Sequence, residues 1–191
     1  MLKKIRTREE VVKERRRNQI VVGGVLIFLM VVSTLGYSLM DGDNEIKNSV
    51  NEFGIDFVRE GGFWKTQING EVFGFQYLPS EIGNVSVSGN YDIEDYAGEV
   101  LYFVNANEGS SEILNNLGRY ILRYQESCLR QDSDKMTVCE GDLPLKSCDD
   151  NLIIFESGNE TMVWKNESCV FIVGDSVRGA DAFLYKALKI T

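Results

Sequence analysis

The chain has 191 residues, 43% hydrophobic and 26% charged, with 18 Gly, two Pro, four Cys and no His. That apolar content excludes a compositionally disordered or collagen-like chain. The missing histidine excludes Ser-His and Cys-His nucleophile pairs, histidine zinc sites and the one side chain that ordinarily titrates near neutrality.

The net charge of -9 is distributed over three unlike segments. Residues 1–18 carry eight Lys or Arg against three Glu, giving +5; residues 19–40 carry no charge; the remaining 151 residues carry 12 basic and 26 acidic side chains, giving -14. The uncharged run from Ile20 to Met40, 21 residues long, reaches about 30 Å as a helix, the thickness of a bilayer's hydrocarbon core. Arg15, Arg16 and Arg17 precede it and Asp41 and Asp43 follow it. The positive-inside bias therefore predicts a basic cytoplasmic tail over 1–18, a transmembrane helix over 19–40 and a C-terminal remainder outside the cell membrane. A cleaved signal peptide is the rival, with Gly36 or Ser38 as the small residue, but the run exceeds the usual h-region and lacks an A-x-A site. A filament-forming precursor of pilin type would need Gly or Ala where Asn18 stands. The basic leader has no aromatic residue and the outer part is acidic, which argues against nucleic acid as a partner. The expected partners are the lipid bilayer and an envelope or membrane protein.

Residues 41–62 read as a stalk or linker with a short ordered segment around Phe53 to Val58. The domain is expected over 63–191. FWKTQI and EVFGFQYL flank Asn69-Gly70, a dipeptide suited to a type I′ turn, and predict a β-hairpin. Its alternating Trp64, Phe73, Phe75 and Tyr77 form a possible binding face; burial of one side of the hairpin against the core explains the same alternation. Val85-Ser-Val87 suggests an edge strand, and the continuous run Val100 to Val104 a strand buried on both faces. Ile113, Leu114, Leu117, Ile121 and Tyr124 recur at helical spacing and predict the main helix, capped by Ser110 or Ser111 and reaching Cys128.

A polar excursion from Arg130 to Asp150 follows, awkward in a compact domain unless stapled. All four cysteines, Cys128, Cys139, Cys148 and Cys169, lie beyond the anchor, so their even number reads as two disulfides. Zinc is the alternative, against which the short C-x-x-C spacings are missing. Leu152 to Phe155, Thr161 to Trp164 and Cys169 to Val173 are expected as a three-stranded meander. That would bring Cys148 and Cys169 to one end of the sheet and leave Cys128 to pair with Cys139. A helix from about Ser176, capped by Asp175 or Ser176, closes the chain. The fold class is thus α+β, an anchor helix followed by one disulfide-stapled extracytoplasmic domain with a mainly antiparallel sheet and two helices. Buried residues should include Leu117, Ile121, Ile154, Phe171, Ile172 and Leu184.

FQYLP, VLYFVN, LPLKSCDDNLIIF and ESCVFIVGDSVRGADAFLYKALKI, in that order, resemble small membrane-anchored proteins of archaea. These close on C-V-x-I-x-G followed by A-x-D-x-F-L-Y; here the segments are Cys169 to Gly174 and Ala180 to Tyr185, with the alanine and aspartate adjacent. The resemblance covers most of residues 70–191 and implies the fold, not an activity.

Chemistry is sparsely signalled. Asp149-Asp150, Glu94-Asp95 and the set Asp175, Arg178 and Asp181 are polar candidates that surface charge and helix capping explain, with Arg178 placed to face Asp181. Val173-Gly-Asp-Ser lacks the spacing and lysine of a P-loop, and Asp41-Gly-Asp43-Asn-Glu45 lacks the rest of an EF-hand. No catalytic residue, metal ligand or cofactor is assigned. Asn84, Asn159 and Asn166 open N-x-S/T sequons, all on the outer side. The expected function is a membrane-anchored binding or assembly module, with a histidine-free carboxylate hydrolase at the cell surface as the alternative.

Overall fold

The computed structural model describes residues 16, 19–33, 49–130 and 141–191, and divides the chain into two compact units, Met1–Ile46 and Lys47–Thr191. In the first, residues 19–33 form a helix, α1. Its large side chains from Ile20 to Val32 are exposed all round. Among the described residues no helix is long and apolar enough to cross a membrane. The expected span continues through residues 34–40, which lie outside the described residues, as does the basic tail apart from Arg16.

The second unit opens with four antiparallel strands in chain order, β1 (Ser49–Glu52), β2 (Ile55–Glu60), β3 (Phe63–Ile68) and β4 (Glu71–Phe75). The dipeptides Phe53-Gly54, Gly61-Gly62 and Asn69-Gly70 join them, every residue at positive φ, the geometry that matches the twist of paired strands. The Asn69-Gly70 hairpin is as expected. The ordered segment expected around Phe53 to Val58 is part of a longer pair, β1 and β2, because Val50, Ile55 and Phe57 bring apolar side chains to the same core as the hairpin.

Next come α2 (Pro79–Ile82), β5 (Ser86–Ser88), a 3-10 turn at Ile93–Tyr96, β6 (Val100–Val104), α3 (Glu108–Leu117) and β7 (Arg123–Glu126). The main helix is shorter than expected. Asn107, not a serine, caps it by accepting from the Gly109 N–H. Beyond Gly118 the chain hydrogen-bonds Tyr120 and Leu122 to Gly98 and Glu99 and runs on as a strand. The Tyr120 carbonyl thus accepts from the Gly98 N–H and the β-prone Tyr124 lies in β7, while the Ile121 N–H still bonds the Leu117 carbonyl at the end of the helix. A two-stranded ribbon, β8 (Cys128–Leu129) with β9 (Leu145–Lys146), spans the polar excursion, whose residues 131–140 lie outside the described residues.

The chain ends with β10 (Leu152–Glu156), β11 (Met162–Asn166), β12 (Cys169–Val173) and α4 (Ser176–Ala187), which Asp175 caps at the Arg178 N–H. The larger sheet has the order β5-β11-β12-β10-β6-β7. Only the β11–β12 pairing is antiparallel; the other four are parallel. The expected meander is therefore corrected: β12 inserts between β10 and β11. Strands β6, β10 and β12 are buried on both faces, as parallel strands usually are, which accounts for their unbroken apolar runs.

Helices α3 and α4 lie between the two sheets. One core joins Phe57, Phe73 and Phe75 of the first sheet, Ile113, Leu117, Phe183 and Leu184 of the helices, and Leu101, Phe103, Ile153 and Ile172 of the second. The far face of the larger sheet carries a smaller cluster, including Tyr102, Ile154, Cys169 and Phe171. All six residues expected to be buried are buried. The helices touch at their N-termini, where a Cβ on Gly109 would stand 2.5 Å from the Ser176 carbonyl oxygen and 2.6 Å from the Phe155 ring.

Among the described residues strand β4 has no strand neighbour beyond it, and the helices complete its edge. Asn116 accepts from the Gly74 N–H at 2.9 Å and donates to the Gly74 carbonyl at 2.7 Å, so one side-chain amide takes the place of a strand. Arg119 donates to the Val72 carbonyl at 2.6 Å. Just past the strand, the Gln76 and Tyr77 N–H groups donate to Asp181 Oδ2 at 3.0 and 2.9 Å, and the Tyr185 hydroxyl donates to the Tyr77 carbonyl at 2.6 Å. Replacing Asn116, only 1% exposed, with leucine strands a donor and an acceptor in the core; Asn116→Leu should lower unfolding stability by about 2–4 kcal/mol, read from urea denaturation.

Candidate functional site

Asp175 ends the turn after β12 and is fixed by its N–H, which donates to Thr161 Oγ1 of the neighbouring loop at 3.2 Å. Gly174, at φ 85°, packs so closely that a Cβ would stand 2.6 Å from the Glu160 carbonyl oxygen, so only glycine fits there. This places Arg178, one turn into α4, beside the loop that enters β11. Its guanidinium lies 4.8 Å from the centroid of the Tyr77 ring. Arg178 and Thr161, with Ser86, Asn84, Glu160 and Met162, line a cleft of about 420 Å³ at the β5 edge of the larger sheet. The Arg178 Nε is buried without an acceptor. Ile82 and Val85 form a wall shared with a second cleft of about 310 Å³, which Phe53, Pro79 and Tyr185 also line. The pair makes a groove astride α2 whose apolar wall is flanked by Arg178 and Glu160 in the larger cleft and by Lys186 in the smaller. It suits a partner segment bearing an acidic group.

A third cleft, of about 410 Å³, has an apolar floor of Ile68, Phe73, Ile93 and Leu188 and an acidic rim of Glu71, Asp92 and Glu94. Two of its three carboxylates are tied. Lys189 bonds Asp92 at 2.6 Å, holding the carboxyl below its ordinary range with help from the Glu94 N–H, and the same bond raises Lys189. Glu71 pairs with Arg119 at 3.2 Å and accepts from the Tyr120 hydroxyl, which burial and that bond push up. A general acid needs the opposite, a carboxyl raised towards neutrality. Glu112 and Asp181 are raised, chiefly by burial, Asp181 to about 8. Both are enclosed between α3 and α4 and line none of these clefts.

Trp64, Phe73 and Phe75 are 5%, 3% and 0% exposed, so they form core and not a binding face. Phe75 stacks on Tyr185 at 4.3 Å, and Arg119 covers Phe73. Tyr77, half-buried, lies beneath Arg178. The sheet turns this side to the helices, as the alternation allows. Arg178 is not the partner of Asp181, because Asp181 points at the end of β4. The remaining acidic candidates are structural: Asp95 pairs with Lys165, Asp150 with Lys146, and Asp149 accepts from Ser147. The sequons occupy exposed positions at Asn84, Asn159 and Asn166.

Glu112 and Asn116 were not signalled by composition. They lie on the buried stripe of α3 with Gly109, Ile113 and Leu117, and polar residues at apolar spacing are the sign by which such partners are found. Cys148 and Cys169 are bonded, with Cα atoms 4.9 Å apart. Cys128 is disulfide-bonded as well, and Cys139, its expected partner, lies outside the described residues.

The chain matches no protein-family model, no curated protein and no solved structure. The Cys148–Cys169 bridge closes a separation of 21 residues; Cys148→Ala with Cys169→Ala should cost about 3 kcal/mol on the chain-entropy account, measured as a lowered urea midpoint against the oxidised protein.

Proposed function

We propose that the chain is a single-pass membrane-anchored binding or assembly module, with its N-terminus in the cytoplasm and Lys47–Thr191 outside the cell membrane. The observation that carries this reading is α1, uncharged and exposed around its whole circumference. A helix apolar on all sides is stable where lipid or protein covers it. The charge partition of +5, 0 and -14 orients it. The Cys148–Cys169 disulfide suits an oxidising compartment, and the exposed sequons are compatible with the same side.

The partner is an envelope or membrane protein, held in the groove astride α2, with Arg178 meeting an acidic group and the Ile82 and Val85 wall covering apolar side chains. The histidine-free hydrolase has less support, since the raised carboxyls are enclosed and two of the three on the third cleft's rim are ion-paired. Protease added to sealed cells should remove a C-terminal tag and spare an N-terminal one; a protected C-terminus would reverse the topology.

A further inference from the structure

The carboxyl groups of Glu112 and Asp181 meet between α3 and α4, 4% and 0% exposed and in side-chain hydrogen-bond contact. Asp181 Oδ2 is occupied by the Gln76 and Tyr77 N–H groups. Asp181 Oδ1 and Glu112 Oε1 are both buried without a donor. Two carboxylates so placed would oppose bare oxygens in the core, where an unpaired charge is most costly.

Among the described residues nothing around them supplies a compensating charge. From α4, the Tyr185 hydroxyl donates to the Tyr77 carbonyl. From α3, the Asn116 amide is committed to Gly74 and the Glu112 carbonyl. Glu81 of α2, bound to the Leu78 N–H, and Glu52 of β1, bound to Ser80, add negative field near Tyr185. Neither Lys nor Arg is among the groups acting on the pair. No cluster of three acidic or cysteine ligands exists among the described residues. A proton satisfies both partnerless acceptors at once.

We propose that Glu112 and Asp181 together form a buried proton-binding site, one proton bridging Glu112 Oε1 and Asp181 Oδ1, and that this proton holds α3 and α4 closed on the edge of β4. The proton is shared by the pair, and the two N–H groups on Asp181 Oδ2 help to hold its single negative charge. The sign of the pH dependence follows. In the unfolded chain both carboxyls lose their protons near pH 4; in the folded protein one is held until about pH 8. Between those values the folded state binds the extra proton, so stability falls as pH rises and is lost through the folded value.

The absence of histidine makes the test clean, because no other side chain of ordinary pKa titrates between about pH 6 and 8. The full chain in detergent is melted from pH 5 to pH 9.5, alongside Glu112→Gln, whose amide keeps a donor towards Asp181 at every pH. The wild type should lose about 5–10 °C of Tm between pH 6 and pH 9, while Glu112→Gln changes by less than about 2 °C. Asp181→Asn, whose oxygen still accepts and whose amide faces Glu112, serves as the second variant and should flatten the profile likewise. A flat wild-type profile, or variants running parallel to a falling one, would overturn the proposal. Carboxyl carbon NMR adds an independent reading: two separate titrations below pH 6 would overturn it too.

Discussion

A sheet edge buried inside a protein must find partners for its backbone groups, and the free edge of β4 is the constraint on which this molecule's architecture turns. Phe73 and Phe75 are buried and no further strand pairs with β4 among the described residues, so the helices supply donors and acceptors. Asn116 and Arg119 serve the strand itself; Asp181 and Tyr185 serve the backbone just beyond it. These contacts fix the register of two helices against one strand, which apolar packing alone would leave free to slide. The four-stranded sheet is joined to the rest through directional bonds, and the aromatic contacts of Phe57 and Phe75 with Tyr185 fill the space those bonds define.

The layered arrangement explains why α4 is buried on nearly every side. A helix on the surface of a domain needs one apolar stripe; a helix between two sheets needs two, and small residues where it comes closest. Gly179 and Ala180 meet that need, a Cβ on Gly179 standing 2.5 Å from Ile172. Asp181 faces the other layer in the same turn.

Local rules made much of this legible. Alternation and Asn69-Gly70 located the hairpin, unbroken apolar runs located the central strands, and Asp175 marked the start of α4. What local rules lack is the partner. The runs at Leu152 and Cys169 have the same character whether they lie in a meander or side by side in parallel, so strand order stayed hidden. Within 41–62 only a short segment around Phe53 to Val58 stood out as ordered, because short polar strands announce themselves weakly and their pairing is decided by the hairpin beyond. The aromatic residues of β3 and β4 were compatible with either a binding face or a core face, and the helices settled which. Arg178 gave no sign of its cleft, since one wall comes from Ile82 to Ser86, far upstream in sequence, and the other from Glu160 to Met162.

Insertion of β12 between β10 and β11 sets the order in which the larger sheet can be completed. Its neighbours are made first, yet they share no hydrogen bonds with each other and wait for a strand near the C-terminal end. Cys169 arrives with that strand, so Cys148 stays unpaired until then, and α4, which seals β4, comes later still. A chain synthesised from its N-terminus therefore cannot fold this unit piecemeal: nearly the whole of it must emerge before any central part is finished. Chaperones that hold extended segments have their longest window on such a topology, and a truncation of a few dozen residues removes the keystone strand as well as the helix that seals it.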